Sequence, residues 1–289
     1  MDKRKLTASI IMAGAIILLL VITLWPQEEE PATGFTAHKV IAHAMGGINN
    51  HTYTNTLDAF VANYEQGTRV FETDLLLTTD DKLVARHEWT GNMSRLLGQL
   101  DVLPAARQGA VLSHKEVMDS PILTLYSPLD IDKIMELMAA YPDAYIVTDT
   151  KELDPQLVTR QFEHIVEAAK RKDPALLSRI VPQIYSRDML DVVNKVYAFP
   201  ETIFTLYQSH DTDEQVIAFA RETGVEITMP VTRATKSFVH KLKQAGARVY
   251  VHTVNEEDEI TKLSRMGVDG FYTDFASEED LGRMRGVRQ

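Results

Sequence analysis

The chain has 289 residues, of which 45 % are hydrophobic and 25 % are charged, and its formal net charge is −11. This composition is that of an ordinary folded protein, and it excludes disorder over most of the length. Cysteine is absent, which excludes disulfide bonds and a lipoprotein anchor on a modified cysteine.

The first 25 residues have the pattern of a membrane anchor. Basic residues at positions 3–5 precede an uncharged stretch over residues 6–25, which is long enough to cross about 30 Å of hydrocarbon as a helix. The alternative is a cleavable signal peptide, but that would have a shorter apolar region and a small-x-small site, and neither is present. Because basic flanks stay in the cytoplasm, we expect residues 1–5 inside and everything after Trp25 outside a single-pass cell-membrane anchor.

Residues 26–37 are rich in Glu, Pro and Thr without apolar periodicity, and they predict a short solvated tether before a domain over residues 38–289. The first 25 residues carry +2, so that the remainder carries −13. This charge, without a stripe of basic and aromatic residues, argues against a nucleic-acid partner.

From residue 38 onward, short apolar runs alternate with amphipathic helical stretches, which predicts βαβ units and a parallel sheet. The apolar runs are 40–43, 70–77, 83–87, 144–149, 180–184, 203–207, 226–229, 248–252 and 268–273, and the helical stretches are 56–66, 129–141, 155–170, 187–196, 212–222, 235–244, 256–265 and 278–284. The link from the second run to the third is too short for a crossover, so the third run predicts a hairpin arm. The other eight predict an α/β fold, a TIM (β/α)8 barrel, with residues 90–128 as an insertion over its active face.

Carboxylates are found at the ends of two of the predicted barrel strands. Glu72 and Asp74 share one face of the second strand, and Asp149 ends the next strand of the barrel. Catalytic residues of such barrels lie at the carboxyl ends of the strands, so we expect the three carboxylates to converge. An all-oxygen set of this kind favours one divalent cation, Ca²⁺ or Mg²⁺.

Two histidines and a lysine follow strands at the same end of the barrel. His43 follows the first strand, His87 ends the hairpin arm and Lys151 comes two residues after Asp149. Histidines beside a cation site can divide proton removal and proton delivery. Taken singly, a Glu-x-Asp pair is typical of a solvated strand edge and a histidine of a packed core, but the joint pattern favours a catalytic site.

The chain resembles the glycerophosphodiester phosphodiesterases over roughly residues 38–280, within a wider group of barrels that includes phosphatidylinositol-specific phospholipase C and sphingomyelinase D. The segments that carry the resemblance are IAH at 41–43, NTLDAF at 55–60, FETD at 71–74, LTTD at 77–80, LVARH at 83–87, VYVHTVN at 249–255, GVDG at 267–270 and TD at 273–274. The resemblance implies that His43 and His87 are catalytic and that Glu72 and Asp74 bind the metal.

Further roles follow from the same resemblance, with departures from the family pattern. Asp149 stands where the family has a glutamate, and Lys151 matches a basic residue that meets the phosphate. Asn55 lies in a Glu-Asn-Thr motif whose glutamate is replaced by Thr54, and we expect Asn55 to bind substrate. His252 stands where tryptophan is common, which makes the leaving-group pocket more polar.

Two further features complete the comparison with the family. Ala44 follows His43 where the family has a phosphate-binding arginine. With these departures from the family pattern, the chain resembles a divergent branch of the family. Gln183 closes a strand, where it can touch substrate or simply pack the barrel mouth.

The expected reaction is metal-dependent hydrolysis of a glycerophosphodiester to an alcohol and glycerol phosphate, with the two histidines as acid and base. One alternative is a phospholipase-type or wall-polymer phosphodiesterase on the same barrel. A second is a catalytically silent module that binds a phosphorylated polymer without cutting it. The loss of the arginine and the glutamate favours the silent module, whereas the retained histidines and carboxylates argue against it.

Overall fold

The structure, a computed structural model, describes residues 32–286, in which eight parallel strands close into a barrel and a ninth pairs antiparallel beside it. The strands are β1 (Val40–Ala42), β2 (Val70–Leu77), β3 (Leu83–Ala85), β4 (Tyr145–Asp149), β5 (Ile180–Ile184), β6 (Ile203–Thr205), β7 (Glu226–Pro230), β8 (Val249–His252) and β9 (Gly270–Thr273). Strand β1 pairs with β9 on one side and with β2 on the other, which closes the ring. The arm β3 runs back along β2, with Leu83 opposite Leu77. The predicted barrel and hairpin are confirmed.

Helices surround the barrel and connect its strands. They are α1 (Leu57–Glu65), α2 (Gly91–Leu96), α3 (His114–Met118), α4 (Ile131–Ala140), α5 (Pro155–Lys172), α6 (Arg187–Val196), α7 (Asp213–Thr223), α8 (Lys236–Gln244), α9 (Glu257–Met266) and α10 (Glu278–Gly286). Local signals start them: Asp154 caps α5 ahead of Pro155, and Thr212 forms a capping box with Gln215 at α7.

Apolar side chains fill the barrel interior near the amino ends of the strands. The cluster consists of Phe35, Ile41, Val70, Val147, Val181, Ile203, Tyr250 and Tyr272. Phe35 comes from the 3₁₀ turn Gly34–Ala37 that precedes β1, it is fully buried, and its ring stacks on Tyr250 at 5.9 Å between centroids. The segment before the first strand therefore seals the end of the barrel opposite the mouth.

The insertion between β3 and α4 packs at one side of the barrel mouth. Helices α2 and α3 were not predicted, because elements of five and six residues are too short to show a helical period. Side chains of α2 and the following turn form one small core with Ile122 and Tyr126, against which Tyr53 packs. Arg86, which is buried at the end of β3, donates to Gln99 and Ser94 and so fastens the insertion to the hairpin.

The predicted cytoplasmic N-terminus, membrane helix and first part of the tether, residues 1–31, lie outside the described residues. Among the residues that are described, no helix is both long enough and apolar enough to span a membrane. The barrel unit begins at Gly34.

Candidate active site

The carboxylates of Glu72, Asp74 and Asp149 meet at the carboxyl ends of β2 and β4. The parallel register pairs Asp74 with Asp149, which brings both strands to the same level of the mouth. One oxygen of each carboxylate lies within 4.8 Å of the others, and all three residues are buried. The predicted convergence of these residues is confirmed.

The ammonium of Lys151 lies against this cluster. Its Nζ is 2.8 Å from Asp74 Oδ1 and 3.0 Å from Asp149 Oδ2. Strand β4 ends at Asp149, and Lys151 has a left-handed backbone with φ 53°, so a turn rather than strand alternation places it beside Asp149. Burial alone would lower its pKa, but the charges of Asp74 and Asp149 raise the pKa of Lys151, which stays protonated.

The donor set of the cluster fits a divalent cation. With all three carboxylates ionised and Lys151 protonated, the cluster carries two net negative charges, which a divalent ion would neutralise. Burial and the charge of Asp74 raise the pKa of Glu72 well above its usual range. Among the described residues Glu72 Oε1 has no hydrogen-bond partner, while Oε2 accepts from the Ala44 backbone at 2.7 Å. A buried carboxylate oxygen without a donor is suited to a metal ligand.

His43 is held by a strained turn and by an aspartate. After β1 the backbone turns through Ala44 and Met45 with φ of 49° and 69°, a conformation that costs about 1–3 kcal/mol per residue and is found at functional sites. His43 Nδ1 donates to Asp274 Oδ1 at 2.9 Å. Burial alone would lower its pKa, but this hydrogen bond and the charge of Glu72 raise the pKa of His43 to about 9.

His87 has the opposite electrostatic environment. Burial lowers its pKa, and the charge of Asp74 offsets only part of that effect. The ring of Tyr53 stands between the two histidines, with centroids 4.8 Å from His43 and 4.7 Å from His87. At neutral pH one histidine is therefore protonated and the other neutral.

A cavity of about 590 Å³ opens above the carboxylates, between the two histidines and the far wall of the barrel. Besides residues already named, it is lined by Glu88, Gln183, Tyr185, Thr205, Tyr207, Gln208, Pro230, His252, Thr253 and Tyr272. Gln183 lines the cavity while its Oε1 accepts from Tyr272 at 2.8 Å. His252 Nδ1 lies 3.0 Å from Thr228 Oγ1, and burial lowers the pKa of His252 to about 4. Gln183 and His252 are therefore neutral polar groups that line the cavity, and their substrate-binding role stays a prediction.

Asn55 does not reach the cavity. Its side chain is fully buried, and its amide donates to Asp74 Oδ2 at 2.7 Å. The substrate-binding role of Asn55 stays a prediction, and the side-chain contacts that the structure describes for Asn55 are those with Thr73 and Asp74.

Three residues of the site were not predicted from the sequence. Tyr185 donates to Asp149, Tyr53 separates the histidines, and Asp274 orients His43. The only sequence signal was at Asp274, since Thr273-Asp274 repeats the Thr73-Asp74 pair at the end of another strand.

Comparison with known proteins places this geometry in one family. Residues 46–278 match the glycerophosphoryl diester phosphodiesterase family. The chain belongs to that family. It is an enzyme of the phosphoric diester hydrolase class, so the silent binding module is set aside.

Individual relatives are distant but cover nearly the whole barrel. A glycerophosphodiester phosphodiesterase of Bacillus altitudinis is 24 % identical over 248 residues, which are 82 % of this chain and 94 % of the relative. A glycerophosphodiester phosphodiesterase structure from Parabacteroides distasonis aligns with a TM-score of 0.69 and 17 % identity over 87 % of this chain and 98 % of the other. An Oleispira antarctica phosphodiesterase in complex with the product sn-glycerol-3-phosphate aligns with a TM-score of 0.67 and 16 % identity over 86 % and 97 %. Such identities fit a divergent branch.

Proposed function

We propose that this phosphodiesterase hydrolyses a glycerophosphodiester to an alcohol and glycerol phosphate, with His87 and His43 as the acid/base pair. The observation that carries the proposal is the single cavity that both histidines line together with Glu72, Asp149 and Lys151. Within it the pKa of His43 is raised and that of His87 is lowered. An acid and a base that share a site need such a separation, so that one is protonated and the other neutral at the same pH.

The proposed proton transfers follow from these protonation states. Neutral His87 accepts the proton of the attacking hydroxyl, and protonated His43 delivers one to the leaving alcohol. Asp274 fixes the Nδ1–H tautomer of His43, which leaves Nε2 for the substrate. When the attacking hydroxyl is the glycerol group beside the phosphate, the product is a cyclic phosphate, which water then opens with the histidine roles exchanged.

The reaction also requires that the negative charge on the phosphate oxygens be stabilised. A divalent cation held by Glu72, Asp74 and Asp149 would supply Lewis-acid stabilisation of the nonbridging oxygens. Lys151 lines the same cavity and carries a fixed positive charge. With Ala44 in place of an arginine, Lys151 is the chain's own cation for holding the phosphate.

The test is a panel of soluble glycerophosphodiesters, incubated with the full-length protein in Ca²⁺ or Mg²⁺ and, separately, with a chelator. We expect glycerol phosphate and the free alcohol to form with the ion and not with the chelator. Formation of neither product from any diester in either ion would contradict the proposal.

A phospholipase-type activity is the second candidate, because exposed apolar side chains lie on segments that follow the barrel strands. Large hydrophobic side chains exposed in the described part of the chain all lie on the insertion or on loops and first turns that follow barrel strands: Leu96, Leu100, Val102, Val111, Leu125, Leu153, Leu157, Tyr207 and Phe275. Such a rim suits a substrate presented at a lipid surface. Faster turnover on phospholipid vesicles than on glycerophosphocholine would favour this candidate over the first.

We further propose that residues 6–25 anchor the enzyme in the cell membrane with the barrel outside the cytoplasm. The support is the sequence pattern alone: three basic residues before an uncharged stretch of this length and an acidic tether after it.

A further inference from the structure

Asp74 is held by a set of hydrogen bonds from a distant asparagine. Asn55 Oδ1 accepts from Thr73 Oγ1 at 3.2 Å and from the Asp74 backbone at 3.0 Å. Asn55 Nδ2 donates to Asp74 Oδ2 at 2.7 Å. One side-chain amide thus joins the threonine, the aspartate backbone and one carboxylate oxygen.

Asp274 is held by the same set of hydrogen bonds. Asn255 Oδ1 accepts from Thr273 Oγ1 at 3.0 Å and from the Asp274 backbone at 2.8 Å, and Nδ2 donates to Asp274 Oδ2 at 2.7 Å. In both copies the asparagine precedes the threonine by 18 residues and the aspartate by 19. We call each Asn-Thr-Asp set a clamp.

Each clamp leaves one carboxylate oxygen for the site. Asp74 Oδ1 lies 2.8 Å from Lys151 Nζ within the metal-type cluster, whereas Asp274 Oδ1 lies 2.9 Å from His43 Nδ1. Asp74 lies on β2 and Asp274 directly follows β9, and these two strands pair with β1 from opposite sides. His43, which follows β1, therefore stands between the two clamped aspartates.

We propose that Asn55 and Asn255 are positioning residues that serve separate parts of the reaction, Asn55 by aiming Asp74 at the cation and Asn255 by aiming Asp274 at His43. The inference rests on the proposed function for the roles of Asp74 and His43. A carboxylate turns readily about its last side-chain bond, and a fixed hydrogen bond to one oxygen directs the other. Such partners of metal ligands contribute about 10–100-fold to metal affinity or activity.

The backbone decides which substitution tests each clamp. Asn55 has φ 51°, a left-handed conformation in which alanine would add strain, so Asn55→Gly removes the amide without that strain. Asn255 is exposed and has no left-handed backbone, so Asn255→Ala is the matched change.

The experiment compares both variants with the wild type in the full-length protein by three measurements. Calorimetry records Ca²⁺ and Mg²⁺ affinity, NMR records the hydrogen-bonded Nδ1 proton of His43, and kinetics on a glycerophosphodiester separates kcat from KM. For Asn55→Gly we expect metal affinity to fall about 10–100-fold, with the His43 proton signal retained. For Asn255→Ala we expect unchanged metal affinity, loss of the His43 signal and a kcat about 10–100-fold lower at unchanged KM.

The contrast between the two variants decides the proposal. Equal losses of metal affinity and of the His43 signal in both variants, or no loss in either, would overturn it. If Asn55→Gly does not fold, Thr73→Val and Thr273→Val, which remove one hydrogen bond from each clamp, must show the same contrast at smaller size. If the wild type hydrolyses no diester, the proposed function is contradicted. The clamp proposal is still tested in that case, by the metal affinity and by the His43 proton signal.

Discussion

His43 and His87 differ in their partners more than in their burial. His43 gains a carboxylate on Nδ1, whereas Nδ1 of His87 has no hydrogen-bond partner among the described residues. At His43 the hydrogen bond to Asp274 together with the charges of Glu72 and Asp74 outweighs the desolvation of the imidazole, whereas at His87 the charge of Asp74 does not. The same residue type thus has a raised pKa at one edge of the cavity and a lowered pKa at the other, which is the basis of the proposed acid and base roles.

The pH dependence of kcat/KM should therefore be bell-shaped. Activity should fall below pH 6.5 as His87, whose pKa is lowered from 6.5, takes up a proton, and it should fall again at alkaline pH as His43 loses its proton. Without the cation the pKa of His43 is raised to about 9, and a cation that neutralises Glu72 and Asp74 should move this alkaline limb to lower pH. The two limbs belong to the coupled pair. Initial rates between pH 4 and 10.5 check this, and a profile that rises monotonically through pH 10 would contradict the assignment of His43 as the acid.

Replacing either histidine by glutamine should lower kcat by about 10²–10⁴-fold, since each has one proton transfer in the proposed reaction. The double variant should be little worse than the weaker single variant, because residues that act as a unit are strongly non-additive. Circular dichroism and metal binding serve as controls. Near-native kcat in His87→Gln on the true substrate would refute the pairing.

At the scale of single residues, the sequence predicted the cluster carboxylates near the strand ends. It missed residues whose place in the site depends on hydrogen bonds or ring contacts with other segments of the chain. Glu72, Asp74 and Asp149 were found because barrel geometry brings strand ends together. Tyr185 follows strand β5, but its position alone did not distinguish it from a side chain that packs the mouth. Tyr53 lies in the irregular segment between the turn after β1 and helix α1, which has no periodic pattern. Asn55 was found by its motif, yet its contact with Asp74 joins residues 19 positions apart through a left-handed backbone, which the motif does not reveal.

Among the elements, β2 contributes most to the site, because Glu72 and Asp74 are two of the three cluster carboxylates. Its last residues, Leu75–Leu77, pair with β3 in the hairpin. The predicted strand bounds agree with the structure at β2 and β5 and run long at β1, where the 3₁₀ turn His43–Met45 replaces a last strand residue. Such a turn has no period to read. The long helices were predicted because their apolar faces repeat over several turns.

Asp74→Ala should abolish binding of Ca²⁺ and Mg²⁺. The substitution removes the central carboxylate of the cluster and leaves Lys151 to neutralise Asp149 alone. Calorimetry on the variant measures the effect. As a control, Asp143→Ala removes an acidic residue more than half exposed at the opposite end of β4, and it should leave metal affinity unchanged. Unaltered affinity in Asp74→Ala would show that the cation site lies elsewhere.

The turn before β1 should contribute strongly to stability. Phe35→Ala empties a fully buried site inside the barrel and should lower the free energy of unfolding by about 3–5 kcal/mol. Leu125→Ala, at a side chain 71 % exposed, should change it by no more than about 0.5 kcal/mol. Urea denaturation of both variants tests this, and equal midpoints would mean that Phe35 does not seal the barrel.

At the scale of the whole molecule, the proposed topology makes one prediction about cells. Protease added to spheroplasts should digest the barrel domain, because residues after Trp25 are expected outside the cytoplasm. Immunoblotting follows the loss of the domain, with a cytoplasmic protein as the control for intact membranes. Survival of the domain on spheroplasts, combined with its digestion after lysis, would reverse the orientation.

The position of Phe35 also provides a site for immobilising the protein. The barrel unit begins at the end opposite the mouth, where Phe35 of the 3₁₀ turn Gly34–Ala37 stacks on the ring of Tyr250. The cavity opens at the mouth. A tag joined ahead of Gly34 therefore attaches to the barrel at the end opposite the candidate active site. Protein captured on a sensor chip by such a tag will present an open mouth to the flowing solution, so that substrate analogues can be ranked on the immobilised enzyme.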